Sequence, residues 1–148
     1  MGFFDTLKSV ANMVTGGSAT VALEVVPETG RTFKVQIKAT AAADLKIEKV
    51  YLKVEGHETV KVKMKKEPTA QEREENFSET TYSQETDVAP GLEMKKDESR
   101  TWESSFSIPN DAPPTYQGKL ARHEWRVYAA LSVTGTDPAS EWKVVTIK

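Results

Sequence analysis

The 148-residue sequence has no cysteine and only two histidines. Without cysteine there are no disulfides, thiolate metal ligands or thiol nucleophiles, and the redox compartment is left undetermined. An excess of one charge is also lacking: 20 Lys and Arg stand against 22 Asp and Glu, a net charge of −2. No overall field therefore favours nucleic acid or an acidic membrane. No run approaches the ~18–20 apolar residues of a membrane-spanning helix. Residues 1–14 lack the basic start of a secretory signal, and Asp5 and Lys8 interrupt their apolar positions. The expectation is a soluble, cytoplasmic protein.

The chemistry-bearing patterns are missing too. No Cys/His cluster has zinc spacing. The acidic stretch 67–79 lacks the Asp/Asn-Gly spacing of a calcium loop and reads as solvated charge. There is no glycine-rich phosphate loop and no Gly-x-Ser-x-Gly elbow. His57, beside Gly56, reads as a solvated turn residue, and His123 as a partly buried, hydrogen-bonded residue of a strand. These readings imply no catalytic, cofactor-binding or metal-binding residues, and a protein that is not an enzyme.

What the chain does have is period-two patterning. Hydrophobic residues are 38% and charged residues 28%, the balance of a folded domain and not of a disordered one. The clearest row is His123, Trp125, Val127, Ala129, Leu131 and Val133, which predicts a long strand with one buried face. It follows Pro113-Pro114, which fixes two φ angles, removes two backbone donors and extends the preceding residues. Chain of that kind crosses from one sheet to another.

Earlier rows are Val21, Leu23, Val25 and then Phe33, Val35, Ile37, Ala39. Pro27-Glu28-Thr29-Gly30 turns between them, so the pair predicts an antiparallel hairpin. Leu45 and Ile47 are followed by Val50, Leu52 and Val54 in the opposite phase, the mark of a bulge near Glu48-Lys49. Gly56 predicts a turn, Val60, Val62 and Met64 a further strand. Residues 67–79 predict a loop with a helical turn around 71–75. A weakly buried strand is expected over 76–88, a turn at Pro90-Gly91 and a short strand over 92–94. Trp102, Ser104, Phe106 and Ile108 make one more inward row, and residues 141–148 a last strand whose buried face the pattern does not assign.

Residues 3–14 differ. Phe3, Phe4, Leu7, Val10, Ala11 and Val14 share a helical face, and Gly16-Gly17 stops the pattern. Three turns are marginal alone in water. Three readings stay open: docking on the chain's own sheet, self-association, or membrane-surface binding. Lys61, Lys63 and Lys65 form a basic row along one strand face. It is either a docking stripe for acidic partners or headgroups, or a face that discourages edge-to-edge pairing. The fold class is thus an all-β, antiparallel, immunoglobulin-like sandwich of about seven or eight strands over 18–148. A short amphipathic helix and glycine hinge over 1–17 precede it.

Phe106-Ser107-Ile108-Pro109, then Ala112-Pro113-Pro114-Thr115-Tyr116, then Trp125-Arg126-Val127-Tyr128 resembles the arrestin-like sandwich domain. That family places a proline-proline-Ser/Thr-aromatic corner before a strand with central aromatic and β-branched residues. Residues 45–60, LKIEKVYLKVEGHETV, are similar to its strand pair with a central glycine. The opening Gly2-Phe3-Phe4 is similar to the start of bacterial sporulation-control proteins, which contain arrestin-like domains. The resemblance implies a cytoplasmic adaptor or scaffold that binds proteins, in sporulation or stress regulation. Partner contacts would fall on Lys61, Lys63, Lys65, Phe3, Phe4 and Leu7. Self-association and weak membrane contact through the N-terminal stretch are the alternatives. Such proteins usually carry two domains, and this chain is long enough for one. No residues match the buried charged cluster that senses phosphates in visual-type arrestins, so that trigger is not implied.

Overall fold

A computed structural model describes residues 18–64 and 73–148, with Met64 described by its backbone alone. The helix and hinge expected over 1–17, with Phe3, Phe4 and Leu7, lie outside the described residues, as does Lys65.

Eight strands follow in order: β1 (Ala19–Pro27), β2 (Thr32–Ala41), β3 (Leu45–Met64), β4 (Arg73–Met94), β5 (Ser99–Ser107), β6 (Tyr116–Gln117), β7 (Ala121–Ser132) and β8 (Lys143–Val145). They form two antiparallel sheets. One has the order β1-β2-β5; the other runs β4-β3-β7-β6, with β8 also paired to β7. The core between them is built from the rows visible in the sequence. Val21, Leu23, Val35 and Ile37 come from the smaller sheet, and Val50, Leu52, Val54, Trp125, Val127 and Leu131 from the larger, all buried. Phe33 stacks on Phe106 at 5.2 Å between centroids, across the β2–β5 pair.

The β1–β2 hairpin holds the expected register, with Leu23 opposite Ile37. Its turn uses the positive φ of Gly30 (65°), a conformation that costs glycine nothing. The expected phase slip in β3 is also present. Ile47 and Val50 are both buried while Glu48 is exposed. The ladder itself shifts slightly further on, between Val50 and Tyr51, where Val88 of β4 is the unpaired residue.

Four local expectations are corrected. Gly56 is no turn: β3 runs unbroken for 20 residues, and Gly56 pairs with both Tyr82 and Trp125. A Cβ there would lie 3.0 Å from Thr81 Oγ1 and 3.2 Å from the His123 and Trp125 rings. The glycine makes room for packed side chains and does not bend the chain. Pro90-Gly91 is no turn either, since both lie inside the 22-residue β4. β4 is an edge strand, where a missing N–H is tolerated. Arg73, Glu74 and Glu75 are extended and paired to β3, not helical. The last strand is shorter than expected, and its face is now assigned. Val145 and Ile147 are buried, Val144 exposed.

Candidate functional site

The proline corner is held from both sides. Trp125 is fully buried, and its Nε1–H donates to the Pro113 carbonyl at 2.8 Å. Arg31, in the β1–β2 turn, donates through Nη1 to the carbonyls of Pro109 and Ala112, both at 2.8 Å, and through Nη2 to that of Lys148 at 3.0 Å. Thr115 N–H donates to the Ile147 carbonyl at 2.8 Å, and Ile147 N–H to Thr115 Oγ1 at 2.9 Å. The corner and the end of the chain are therefore tied together, and with them β8 is set beside β7.

This placement leaves an open seam between the sheets. Among the described residues, β1 is the outer strand of the smaller sheet, and β8 pairs only with β7. The groove between them is lined by Val25, Val26, Pro27, Phe33, Val144 and Val145, with Glu24 and Lys143 at its rim. Val26 is 57% exposed and Val144 64% exposed. Two exposed valines flanking an unpaired strand edge are an unusual surface, because natural proteins usually blunt such edges with charge, proline or a bulge.

A strap beside the seam fixes the outer face of the larger sheet. Residues 133–142 fold back over β7. Leu131 N–H donates to the Pro138 carbonyl (2.9 Å), and Ser140 N–H to that of Ala129 (2.8 Å). Tyr51 Oη donates to Asp137 Oδ2 at 2.8 Å, and Val133 N–H to Asp137 Oδ1 at 3.0 Å. Burial and this carboxylate both push the Tyr51 hydroxyl pKa up. Trp142 then closes on β7, edge-on to Tyr128 at 4.5 Å and with the Arg126 guanidinium 4.1 Å from its ring centre, a cation–π distance.

Arg126 Nη2 also donates to Glu55 Oε1 (3.2 Å), and His57 Nε2 lies 3.1 Å from the same Oε1 and 2.9 Å from Arg126 Nη2. His57 is thus a half-buried member of a strand network and not the solvated turn residue expected. Burial works to raise the Glu55 pKa, but the hydrogen bonds from His57 and Arg126 outweigh it and hold it below the ordinary carboxylate value. A lowered folded-state pKa means that the unfolded chain binds this proton more tightly. Glu55 therefore adds stability above its ordinary pKa, and that contribution is lost as pH falls through the lowered one. Urea titrations at stepwise pH should show a loss of stability below about pH 4.5 that is shallower in Glu55→Gln.

His123 is 1% exposed, not partly buried. Its Nε2 lies 2.6 Å from Thr81 Oγ1, and its ring stacks on Tyr116 at 6.0 Å. Nδ1 has no hydrogen-bond partner among the described residues. Its contacts plug the end of the core where the corner passes.

The lysine row does not join the seam. Lys61 and Lys63 are exposed and lie opposite Asn76 and Glu74. They follow Val60, the last β3 residue in register with β7, and the Lys61 N–H still donates to the Leu120 carbonyl at 2.7 Å. The seam residues Val26 and Val144 were not singled out by sequence reasoning. The available signal was the adjacency of Val25-Val26 and Val144-Val145, which places an apolar residue on both faces of a strand. No group of three or more His, Asp or Glu side chains suited to a metal ion occurs among the described residues. No helix among them is long and apolar enough to cross a membrane.

Two antiparallel sheets, a proline corner pinned by a buried tryptophan and a long strand behind it define an antiparallel β-sandwich. The solved structure of Spo0M, a sporulation control protein from Bacillus subtilis, matches with a TM-score of 0.62 and 16% identity over 89% of this chain. The match covers 50% of the Spo0M chain, so this chain spans about half the length of that protein. The resemblance read from the corner is therefore shown at the level of fold. The solution structure of CsgH from R. palustris is more remote, at TM-score 0.35 and 10% identity over 82% of this chain and 88% of that one. No protein-family model matches the chain, and no curated protein matches it in sequence.

Proposed function

We propose that this protein is a non-catalytic, arrestin-like scaffold that captures an extended segment of a partner protein along the β1–β8 seam. The observation that carries this reading is the edge of β1 over residues 20–27, which has no strand partner among the described residues, beside an apolar groove with Val26 and Val144 exposed. In strand addition the backbone edge supplies hydrogen bonds, and pockets for alternate side chains supply specificity. The rigid strap and the pinned corner hold both walls of the groove, so little ordering is needed on binding. The fold shared with a sporulation control protein supports a role in bacterial sporulation or stress regulation, in the cytoplasm.

Selection of displayed random peptides on the intact protein tests this. Enriched peptides should alternate apolar and polar residues. Their affinity should fall at least tenfold, about 1.4 kcal/mol, in the Val26→Glu, Val144→Glu double variant. Both residues are exposed, so the variant should keep the wild-type melting temperature. Peptides that bind the double variant equally well would place the docking surface elsewhere.

A further inference from the structure

The hydrogen-bond register of β1 fixes which of its backbone groups face the seam. Glu28 N–H donates to the Thr32 carbonyl and Ala42 N–H to that of Ser18, both at 2.9 Å. These two bonds bracket the β1–β2 ladder, in which Leu23 lies opposite Ile37. Hydrogen-bonded and non-bonded pairs alternate along an antiparallel ladder. Residues 20, 22, 24 and 26 therefore direct their backbone groups to β2. Val21, Leu23 and Val25 turn theirs to the free side of the strand. Pro27, which has no N–H, ends the run of outward donors.

Side chains divide the same edge into two faces. Ala22, Glu24 and Val26 are exposed on the outer face of the smaller sheet, while Val21 and Leu23 are buried beneath it. A strand added here presents one row of side chains to each face. Its inner row enters the groove beside Val25, Phe33 and Val144. Its outer row lies beside Ala22, Glu24 and Val26.

The two rows meet opposite charges. On the outer face Glu24 forms no ion pair among the described residues, whereas Glu28 is held by Lys34 at 3.2 Å. Across the sheet, Glu24 is followed in its row by Gln36 and then Glu103. The lysines of this face, Lys34 and Lys38, stand on β2, opposite Val26 and Ala22. At ~4.8 Å between neighbouring strands, Glu24 is about half as far from the added row as they are. On the inner side the charged residue of the β8 wall is Lys143, whose pairing with the buried Val127 places it on the groove face.

We propose that the segment captured at the seam is basic on its outer row and apolar on its inner row, with a Lys or Arg beside Glu24. The proposal rests on capture at the seam and adds the chemistry of what is captured. Cross-strand neighbours of opposite charge stabilise a sheet, and like charges destabilise it. Glu24 thus selects a cation on the outer row, and Lys143 selects against one on the inner row. Backbone groups of three residues bind any extended chain alike, so discrimination falls to these side-chain pairs.

Peptide selection on the intact protein and on its Glu24→Lys variant, read together with hydrogen exchange, tests this. Peptides enriched on wild type should carry Lys or Arg in the polar row and none in the apolar row. A selected peptide should protect the Val21, Leu23 and Val25 amides from exchange. It should bind Glu24→Lys about threefold or more weakly. The melting temperature should not change, because Glu24 is exposed. Replacing the cation of the peptide by Glu should weaken binding to wild type and restore binding to Glu24→Lys. Peptides that protect those three amides yet ignore the charge reversal, or that carry an acid in the cation's place, overturn this proposal and leave capture at the seam standing. A selection that enriches nothing, or peptides that protect none of the three amides, overturns both.

Discussion

Trp125→Ala should be the most damaging single substitution in the described sandwich, costing about 3–5 kcal/mol as aromatic truncations in cores do. The side chain is fully buried and is the largest so placed. Its ring lies 5.3 Å from those of His123 and Tyr82, and it closes over Gly56. The truncation also leaves the Pro113 carbonyl without its donor, a further ~1 kcal/mol. Since small domains are stable by only ~5–15 kcal/mol, the variant should be largely destabilised at room temperature. Trp125→Phe separates the two contributions, because it keeps most of the packing and loses the hydrogen bond. Urea unfolding checks both. A loss below ~1 kcal/mol for the alanine variant would mean that the corner is not organised around this ring.

Gly91→Ala should cost about 1–3 kcal/mol, the range of overpacked sites, although it adds one methyl group at an exposed position. A Cβ at Gly91 would stand 2.8 Å from the carbonyl oxygens of both Ile47 and Glu48. Those are backbone atoms of the neighbouring strand, so no rotamer change relieves the clash and the β3–β4 pairing must shift. Gly30→Ala is the useful contrast, since nothing lies within 4 Å of a Cβ there and only its positive φ is penalised. Thermal unfolding should rank Gly91→Ala below both Gly30→Ala and wild type. Equal stability of the two variants would contradict the close approach.

The same glycines explain where sequence reading stops. The hairpin of β1 and β2, the Phe106–Ile108 row and the whole of β7 were legible because each has one buried face and a clean alternation. β3 and β4 were cut into pieces because Gly56 and Pro90-Gly91 carry turn chemistry in the sequence. In the fold, Gly56 yields space to rings that come from residues 123 and 125, and Gly91 yields it to carbonyls some 43 residues away. A glycine that serves packing and one that serves φ look alike until the partners are known. The phase of residues 141–148 was unreadable for a related reason. Both faces are apolar, with Val145 and Ile147 in the core, Val144 at the seam and Trp142 on Arg126 and Tyr128.

The candidate site was less legible than the fold. The conspicuous lysines, Lys61 and Lys63, lie near the far end of β3 and do not line the groove. The seam is made by two valines from strands more than a hundred residues apart, each unremarkable in its own row. Exposure of such residues is set by strand order, because β1 and β8 have no outer neighbour among the described residues, and strand order is a property of topology that local pattern does not carry.

Backbone hydrogen exchange of the intact protein, with and without a peptide selected on it, tests partner capture at the seam most directly. Added protection confined to the outward-facing amides of β1, absent in the Val26→Glu, Val144→Glu variant, is the expected result. Protection that appears instead on β4 or β5, or none on β1 while the peptide is bound, would contradict capture at the seam.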